Sequence, residues 1–294
     1  MLWAVFTLIA AAAQTARNAM QRELTATLGT VGATHVRFLF GFPFALVFLS
    51  GIALASGRAL PQPALDFWPW VVAGALTQII ATALMLAAMN ERSFVVAYAY
   101  IKTEPVQVAL FGLIFLGDKL TWLAAIAIVV GTAGVVVMSL KPGAGRLATL
   151  RSTLIGIGAG STFALSAIAY RGAILSLHRP DFVLAATFTL AFGLVMQAAI
   201  LSLYLWLRDP KVLHDIVQAW KPSLFAGFMG AFASEFWFLG FAITSAANVR
   251  TLALVEVLFA QGVTRFVFKQ PTTPRELIGI VLVVIGVALL VWAY

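Results

Sequence analysis

The sequence predicts an all-α integral membrane protein with ten transmembrane helices, built from two inverted repeats of five helices each. Only 10% of its 294 residues are charged and 62% are hydrophobic, whereas soluble domains carry about 25% charged residues. Apolar stretches of about 20 residues, the length with which a helix spans a bilayer, recur along the whole chain. The two halves also share residues at one constant spacing.

Short polar connections separate the apolar stretches, and each stretch predicts one membrane-spanning helix. The stretches lack the alternation of polar and apolar residues that a membrane β-barrel requires. No connection is long enough to form a soluble domain. In order, the predicted helices are Leu2–Met20, Val31–Ala55, Trp68–Met89, Phe94–Leu116, Leu120–Leu140, Thr153–Leu177, Phe182–Leu207, Ser223–Thr244, Val249–Phe268 and Leu277–Tyr294.

The two halves repeat each other with an offset of 152 residues, which relates Glu104 to Glu256 and Gly134 to Gly286. We therefore predict a first five-helix repeat (1–140), a connecting loop (141–151) and a second five-helix repeat (152–294). Because five is odd, the second repeat enters the membrane from the opposite side, as in many secondary transporters. Chance similarity between apolar helices is the alternative. The other matching pairs are Gly41 and Gly193, Trp68 and Trp220, Ser93 and Ser245, and Thr121 and Thr273.

Basic residues bear on the orientation of the chain in the membrane. Ten helices place both termini on one side, and the connections on the opposite side carry more Lys and Arg. The positive-inside rule then predicts that the termini face outward. This count assigns Arg171 and Arg250 to connections. Membrane topology also accounts for the net charge of +8 without nucleic acid as a partner.

Three acidic residues lie inside predicted helices, where an ionisable side chain requires a partner, a cavity or a function. Glu104 and Glu256 are expected at matching depths because the repeat relates them, which favours a site near the membrane midplane; Glu235 lies in the eighth helix. Lys102 occupies a different helical face from Glu104, so we expect the two to pair elsewhere. Pro105 removes a backbone hydrogen bond and predicts a kink, either within a binding site or as a purely structural feature.

A stripe of polar and soft apolar side chains follows one face of the third predicted helix, at Gln78, Thr82 and Met85. Small-molecule sites are mostly apolar with a few polar groups, so this face and neighbouring aromatic residues are candidates for substrate binding. Hydrogen bonding between helices is the structural alternative. The predicted substrate-binding residues are Gln78, Thr82, Met85, Tyr98, Tyr100, Glu104, Trp237, Glu256 and His35.

Polar residues also occur where the first two predicted helices approach each other in sequence: Gln14 and Arg17 late in the first, His35 and Arg37 early in the second. His35 could titrate near neutral pH or contact a substrate. For both pairs, snorkelling towards the membrane surface or a role in topology is the alternative.

Few residues in this sequence support enzymatic chemistry. It contains no cysteine, which excludes thiol nucleophiles, disulfides and Cys-ligated metals. His35, His178 and His214 are scattered, and no nucleotide-binding loop is present. We therefore predict no catalytic residue, no metal and no cofactor, and favour secondary or facilitative transport. A non-transporting receptor or scaffold and an intramembrane enzyme are the alternative classes.

Short motifs recur near the end of each half. They are Glu104-Pro105-Val106, Leu116-Gly117-Asp118-Lys119-Leu120-Thr121, Gly131 and Gly134-Val135 in the first half, and Thr273, Gly279 and Gly286-Val287 in the second. Together with Arg37, these motifs resemble the EamA repeat of the drug/metabolite transporter superfamily, over essentially the whole chain. The sequence departs from that pattern at Asp118, at Val257 and at Lys269-Gln270, and its first helix has Gln14 but no carboxylate at depth, which does not favour proton-driven antiport.

This resemblance implies a bacterial inner-membrane, multi-pass exporter of small metabolites, with both termini cytoplasmic, opposite to the charge count. Amino acids, hydrophobic or aromatic ones first, are the expected substrates, because their rings can stack on aromatic side chains while their charged groups meet polar ones. A carrier of drugs or other metabolites is the alternative. The expected partners are the substrate and membrane lipid, with the protein a monomer or homodimer. Alternating access around a midplane cavity would use Pro105, Gly112 and Gly240 as hinges.

Overall fold

The apolar stretches fold as helices, because in lipid a helix satisfies its backbone N–H and C=O groups within one segment. The computed structural model describes residues 1–89, 99–139, 150–266 and 273–293, and these residues include no strand. A short π-helical segment, Gly112–Leu116, follows the fourth helix. The helices are α1 (Leu2–Leu39), α2 (Phe42–Ser56), α3 (Phe67–Met89), α4 (Glu104–Phe111), α5 (Trp122–Ser139), α6 (Leu150–Ser176), α7 (Phe182–Arg208), α8 (Pro210–Gln218), α9 (Trp220–Ile243), α10 (Ala246–Leu252), α11 (Val255–Phe266) and α12 (Pro274–Ala293).

The first two predicted helices are joined more closely than expected. Helix α1 continues from Leu2 to Leu39 and is interrupted only at Gly29, whose φ of 66° lies in the left-handed region. Glycine adopts this region without the steric penalty of a Cβ atom, so the chain reverses there with almost no loop. The second predicted helix is completed by α2, which begins three residues after α1 ends.

The fourth and ninth predicted helices are each broken rather than continuous. In the first half the helix is interrupted at residues 102–103, and α4 begins at Glu104 with Pro105 in its first turn. In the second half the interruption falls at residues 253–254, between α10 and α11. The repeat offset makes these breaks equivalent within one residue. The second break forms although Val257 replaces the proline, so proline is not its cause.

Eight stretches of the described residues are long and apolar enough to cross a membrane. The sequence predicted ten. The two predicted helices that are not among these eight are the first, which forms the start of α1, and the ninth, whose described part is divided between α10 and α11. The amphipathic helix α8 lies between α7 and α9 and has no helical counterpart in the first half.

Helices of the two halves pack on each other in an exchanged pattern. Helix α1 packs on α9 and helix α3 packs on α6. Under the offset, α6 corresponds to the start of α1 and α9 corresponds to α3, so the first helix of each half contacts the third helix of the other. Helix α2 packs on α7 and α5 packs on α12, in each case between corresponding segments, whereas α4 packs on α10 rather than on its own counterpart α11. The core of the bundle therefore lies between the repeats.

The α5–α12 contact is made by backbone atoms at glycines. A Cβ atom built on Gly134 would lie 2.7 Å from the backbone nitrogen of Val283, and one on Gly286 would lie 2.6 Å from Cα of Gly131. Small residues permit such close approach of membrane helices, where van der Waals packing drives association. Gly134 and Gly286 are repeat partners, so the same close contact occurs twice.

Replacement of Gly134 with valine is expected to destabilise the protein by about 1–3 kcal/mol, the usual cost of overpacking, because its Cβ would collide with backbone rather than with a movable side chain. The melting temperature of the detergent-purified protein measures this loss. Gly51→Val is the matched control, since a Cβ at Gly51 has no atom within 4 Å. Equal melting temperatures of the two variants would contradict this account of the α5–α12 contact.

Candidate functional site

The two helix breaks bring together helix ends with complementary charges. Glu104 lies in the first turn of α4 and Glu256 in the first turn of α11, where the positive end of a helix dipole favours a carboxylate. Arg250 lies in the last turn of α10, where the negative end favours a cation. Ser245 caps the start of α10, accepting a hydrogen bond from the backbone nitrogen of Asn248 at 3.2 Å.

One small cavity, which we call the charged cavity, adjoins both breaks. The volume of this cavity is about 20 Å³, enough for about one water molecule. An amino acid would enter only if the surrounding groups moved apart. The lining residues are Gln14, Lys102, Glu104, Pro105, Arg250, Ala253, Leu254 and Glu256.

Two ion pairs cross this cavity, and each joins the first repeat to the second. Arg250 Nε lies 2.9 Å from Glu104 Oε1, and Lys102 Nζ is paired with Glu256 Oε1. All four side chains are largely buried. Lys102 and Glu104 each have a partner on the other repeat, but they are also close enough to attract each other, contrary to the expectation from the helical faces. Breaking one such pair leaves a buried charge uncompensated, which is strongly destabilising.

Aromatic side chains form one wall of this cluster. Trp237 Nε1 donates to Gln14 Oε1 at 3.0 Å, and Gln14 Nε2 donates to Glu256 Oε2 at 3.2 Å. The guanidinium carbon of Arg250 lies 4.8 Å from the ring centre of Trp237 and 5.8 Å from that of Phe241, within the range of cation–π attraction. Trp237 thus belongs to the same cluster as Glu104 and Glu256.

A second polar cluster is formed by side chains of α1, α3, α7 and α9. Arg37 donates from Nη1 to Thr82 Oγ1 at 3.1 Å and from Nη2 to Ser234 Oγ at 3.4 Å. Gln197 Nε2 donates to Gln78 Oε1 at 2.8 Å. Gln78 and Thr82 therefore make hydrogen bonds between helices, which was the structural alternative for this stripe.

The other predicted binding residues are dispersed. Met85 is buried in an apolar cluster, and Tyr100 is half-buried next to the break. His35 is fully buried, with Nε2 3.0 Å from Ser202 Oγ. Tyr98 lies outside the described residues.

The basic residues of the first two predicted helices do not snorkel towards the membrane surface, so that alternative is wrong. Arg17, His35 and Arg37 are 1%, 0% and 2% exposed, because neighbouring helices cover them on the inner faces of α1. Arg171 and Arg250 were likewise wrongly assigned to connections. Arg171 lies within α6, where it pairs with Asp118 at 3.5 Å.

The predicted hinges occupy different settings. Pro105 lies in the first turn of α4, directly after the break. Gly112 begins the π-helical segment, and a Cβ atom built on Gly112 would lie 3.0 Å from Asp118 Oδ2. Gly240 instead lies inside the uninterrupted helix α9, where its missing Cβ accommodates Val249. Close packing is therefore the observed role of Gly240.

Glu235 is separate from the charged cavity. Thr187 Oγ1 donates to Glu235 Oε1 at 2.5 Å, and Glu235 lies beside an apolar groove formed with Phe48, Phe232 and Phe236. No group of three or more His, Cys, Asp or Glu side chains in the described part of the chain is placed to hold a metal ion.

Sequence reasoning missed Arg250 as a site residue and did not assign Lys102 or Gln14 to the site. A usable signal was present, because two carboxylates at bilayer depth require two cations. Lys102 precedes Glu104 by two residues and Arg250 precedes Glu256 by six. Charge balance within the predicted helices would have found both cations.

The Glu104–Arg250 pair can be tested by a double-mutant cycle. Arg250→Met alone is expected to destabilise the protein by about 3–5 kcal/mol, because it leaves the Glu104 carboxylate buried without its partner. Adding Glu104→Leu should restore most of this loss, since the remaining carboxylate is removed as well. Melting temperatures of the purified variants give the coupling, and additive losses would contradict the pairing.

Comparisons with known proteins identify the family. A model of the EamA-like transporter family matches residues 1–140 and again residues 150–292. One solved crystal structure shares the fold, with a TM-score of 0.67 over 99% of both chains at 18% sequence identity. No curated protein matches the sequence. The two family matches cover nearly all of the chain, and this protein therefore belongs to the EamA-like transporter family, as the resemblance of its motifs predicted.

Proposed function

We propose that this protein is a secondary or facilitative exporter of small metabolites, with hydrophobic or aromatic amino acids as the leading substrates, in the bacterial inner membrane. Its family consists of membrane transporters of small compounds, and its long apolar helices make it a multi-pass membrane protein. The observation that carries the proposal is the charged cavity, where two ion pairs connect the repeats at repeat-related helix breaks.

Amino acids suit the chemistry of this site. Carboxylates of Glu104 and Glu256 match an ammonium group, and the basic side chains nearby match a carboxylate. Trp237 and Phe241 offer faces for an aromatic or apolar side chain. A zwitterion can therefore replace one of the two internal ion pairs without leaving a buried charge uncompensated. A carrier for large apolar drugs would require a wider and less charged cavity.

The same pairs suggest a mechanism of alternating access. A substrate that competes for the charged groups weakens the contacts between the repeats and lowers the cost of rearranging them. Broken helices next to a midplane site are typical of secondary transporters, and Pro105 and Gly112 are the proposed points of flexure. The exchanged packing of the two halves supports inverted repeats, with ten membrane segments when the broken fourth and ninth helices are each counted once.

Counterflow in proteoliposomes tests the proposal. Vesicles containing the purified protein and loaded with a mixture of unlabelled amino acids should accumulate labelled phenylalanine or leucine from outside. Adding and removing a proton gradient then shows whether an ion is coupled. Absence of flux for all amino acids would contradict the substrate class, and absence for a broad metabolite panel would contradict transport.

Glu104→Gln should lower the rate of counterflow by about 10- to 100-fold, the equivalent of one charge-assisted hydrogen bond of 1.5–3 kcal/mol. The amide keeps an acceptor oxygen facing Arg250 but removes its counter-charge, so the melting temperature should fall, while gel filtration should still show a folded protein. Asp66→Asn removes an acid that is exposed at the surface and serves as the control. Normal counterflow by Glu104→Gln would leave Glu104 with a structural role.

A further inference from the structure

Two arginines are buried in this bundle without a carboxylate partner among the described residues. Arg17 is 1% exposed and Arg37 is 2% exposed. Arg17 Nη2 donates to Asn18 Oδ1 at 2.7 Å, whereas Arg17 Nε and Nη1 and Arg37 Nε have no hydrogen-bond partner in the described part of the chain. The charged neighbours of Arg17 are Arg37 and Arg250, all of the same sign.

The other basic side chains buried at this depth are compensated. Lys102 faces Glu256, Arg250 faces Glu104 and Arg171 faces Asp118. The remaining buried acid, Glu235, contacts Thr187. The described bundle thus holds two uncompensated guanidinium groups. Because each uncompensated buried charge costs several kcal/mol, charges retained inside a membrane bundle indicate function.

The aliphatic parts of the Arg17 and Arg37 side chains both approach Gly230 of α9. A Cβ atom on Gly230 would lie 3.2 Å from Arg37 Cγ and 3.5 Å from Arg17 Cδ. Arg37 is oriented by Thr82 and Ser234. The unpaired Nε and Nη1 of Arg17 leave guanidinium donors available to an oxyanion.

This arginine pair lies near the charged cavity along two helices. Gln14, which lines the cavity, precedes Arg17 by three residues and shares its face of α1. Trp237 follows Gly230 by seven residues on α9, about 10 Å along the helix. The distance between the arginine pair and the Trp237 wall is therefore of small-molecule length.

We propose that Arg17 and Arg37 form a subsite for the carboxylate of the transported substrate, while Glu104 and Glu256 accept its cationic end. This inference rests on the proposed transport function and narrows it: the substrates carry a carboxylate, and amines without one are rejected. Binding of the carboxylate offsets one of the two uncompensated positive charges at Arg17 and Arg37, which favours the loaded state.

Thermal stabilisation of the detergent-purified protein tests the subsite without requiring flux. Phenylalanine and 3-phenylpropionate should raise the melting temperature, and phenethylamine, which lacks the carboxylate, should not. Arg17→Gln and Arg37→Gln should weaken the apparent affinity for both carboxylates about 10- to 100-fold, while Arg17→Lys retains part of it. Arg58→Gln, which removes a basic residue from an exposed pair, is the control. Equal stabilisation by phenethylamine, or stabilisation by inorganic phosphate and not by 3-phenylpropionate, would overturn the assignment.

Stability without ligand separates binding from a structural role. The ligand-free Arg17→Gln variant should melt no lower than wild type, because it loses an uncompensated buried charge. A lower melting temperature would show that Arg17 serves the fold and would overturn the proposal.

Transport assays distinguish failure of this inference from failure of the proposed function. Arginine-dependent stabilisation by carboxylates with no counterflow would support the subsite and contradict transport of amino acids. Wild-type counterflow in both Arg17→Gln and Arg37→Gln would overturn the subsite and leave transport standing.

Discussion

Charged side chains persist at bilayer depth only where a partner, a cavity or a function offsets their cost, and the two ion pairs between the repeats provide partners for four of them here. Glu104 and Arg250 form one pair, and Lys102 and Glu256 form the other. Each pair has one member on each repeat, so neither half satisfies its own charges. The interface between the halves is consequently both the core of the fold and the place where a charged ligand can compete for these ion pairs.

The broken helices are the local structure that makes these pairs possible. A continuous helix would leave no free helix ends at this depth, whereas the breaks place Glu104 and Glu256 at positive ends and Arg250 at a negative end. Exposed backbone groups at a break are tolerated in a membrane protein only where protein or water surrounds them. The exchanged packing of the halves provides that protein environment.

The buried charges of the two polar regions are balanced to different extents. The carboxylates of the charged cavity are neutralised internally, whereas Arg17 and Arg37 carry positive charge that the described residues do not neutralise. A protein that selects a zwitterion needs an empty counter-charge for at least one end of it, together with pairs that can open for the other. Trp237, which donates a hydrogen bond to Gln14 and faces the guanidinium group of Arg250, packs beside the charged cavity.

The sequence by itself determined the helical membrane class, the repeat and the equivalence of Glu104 and Glu256, because apolar length and residue spacing are local properties of the chain. The structure alone decided which cations pair with these carboxylates, where the helices break, and that Arg17 and Arg37 are buried. A long basic side chain can reach the membrane surface or turn inward, and the choice depends on the helix packed against that face. Such contacts join residues more than a hundred positions apart, where spacing along the chain carries no information.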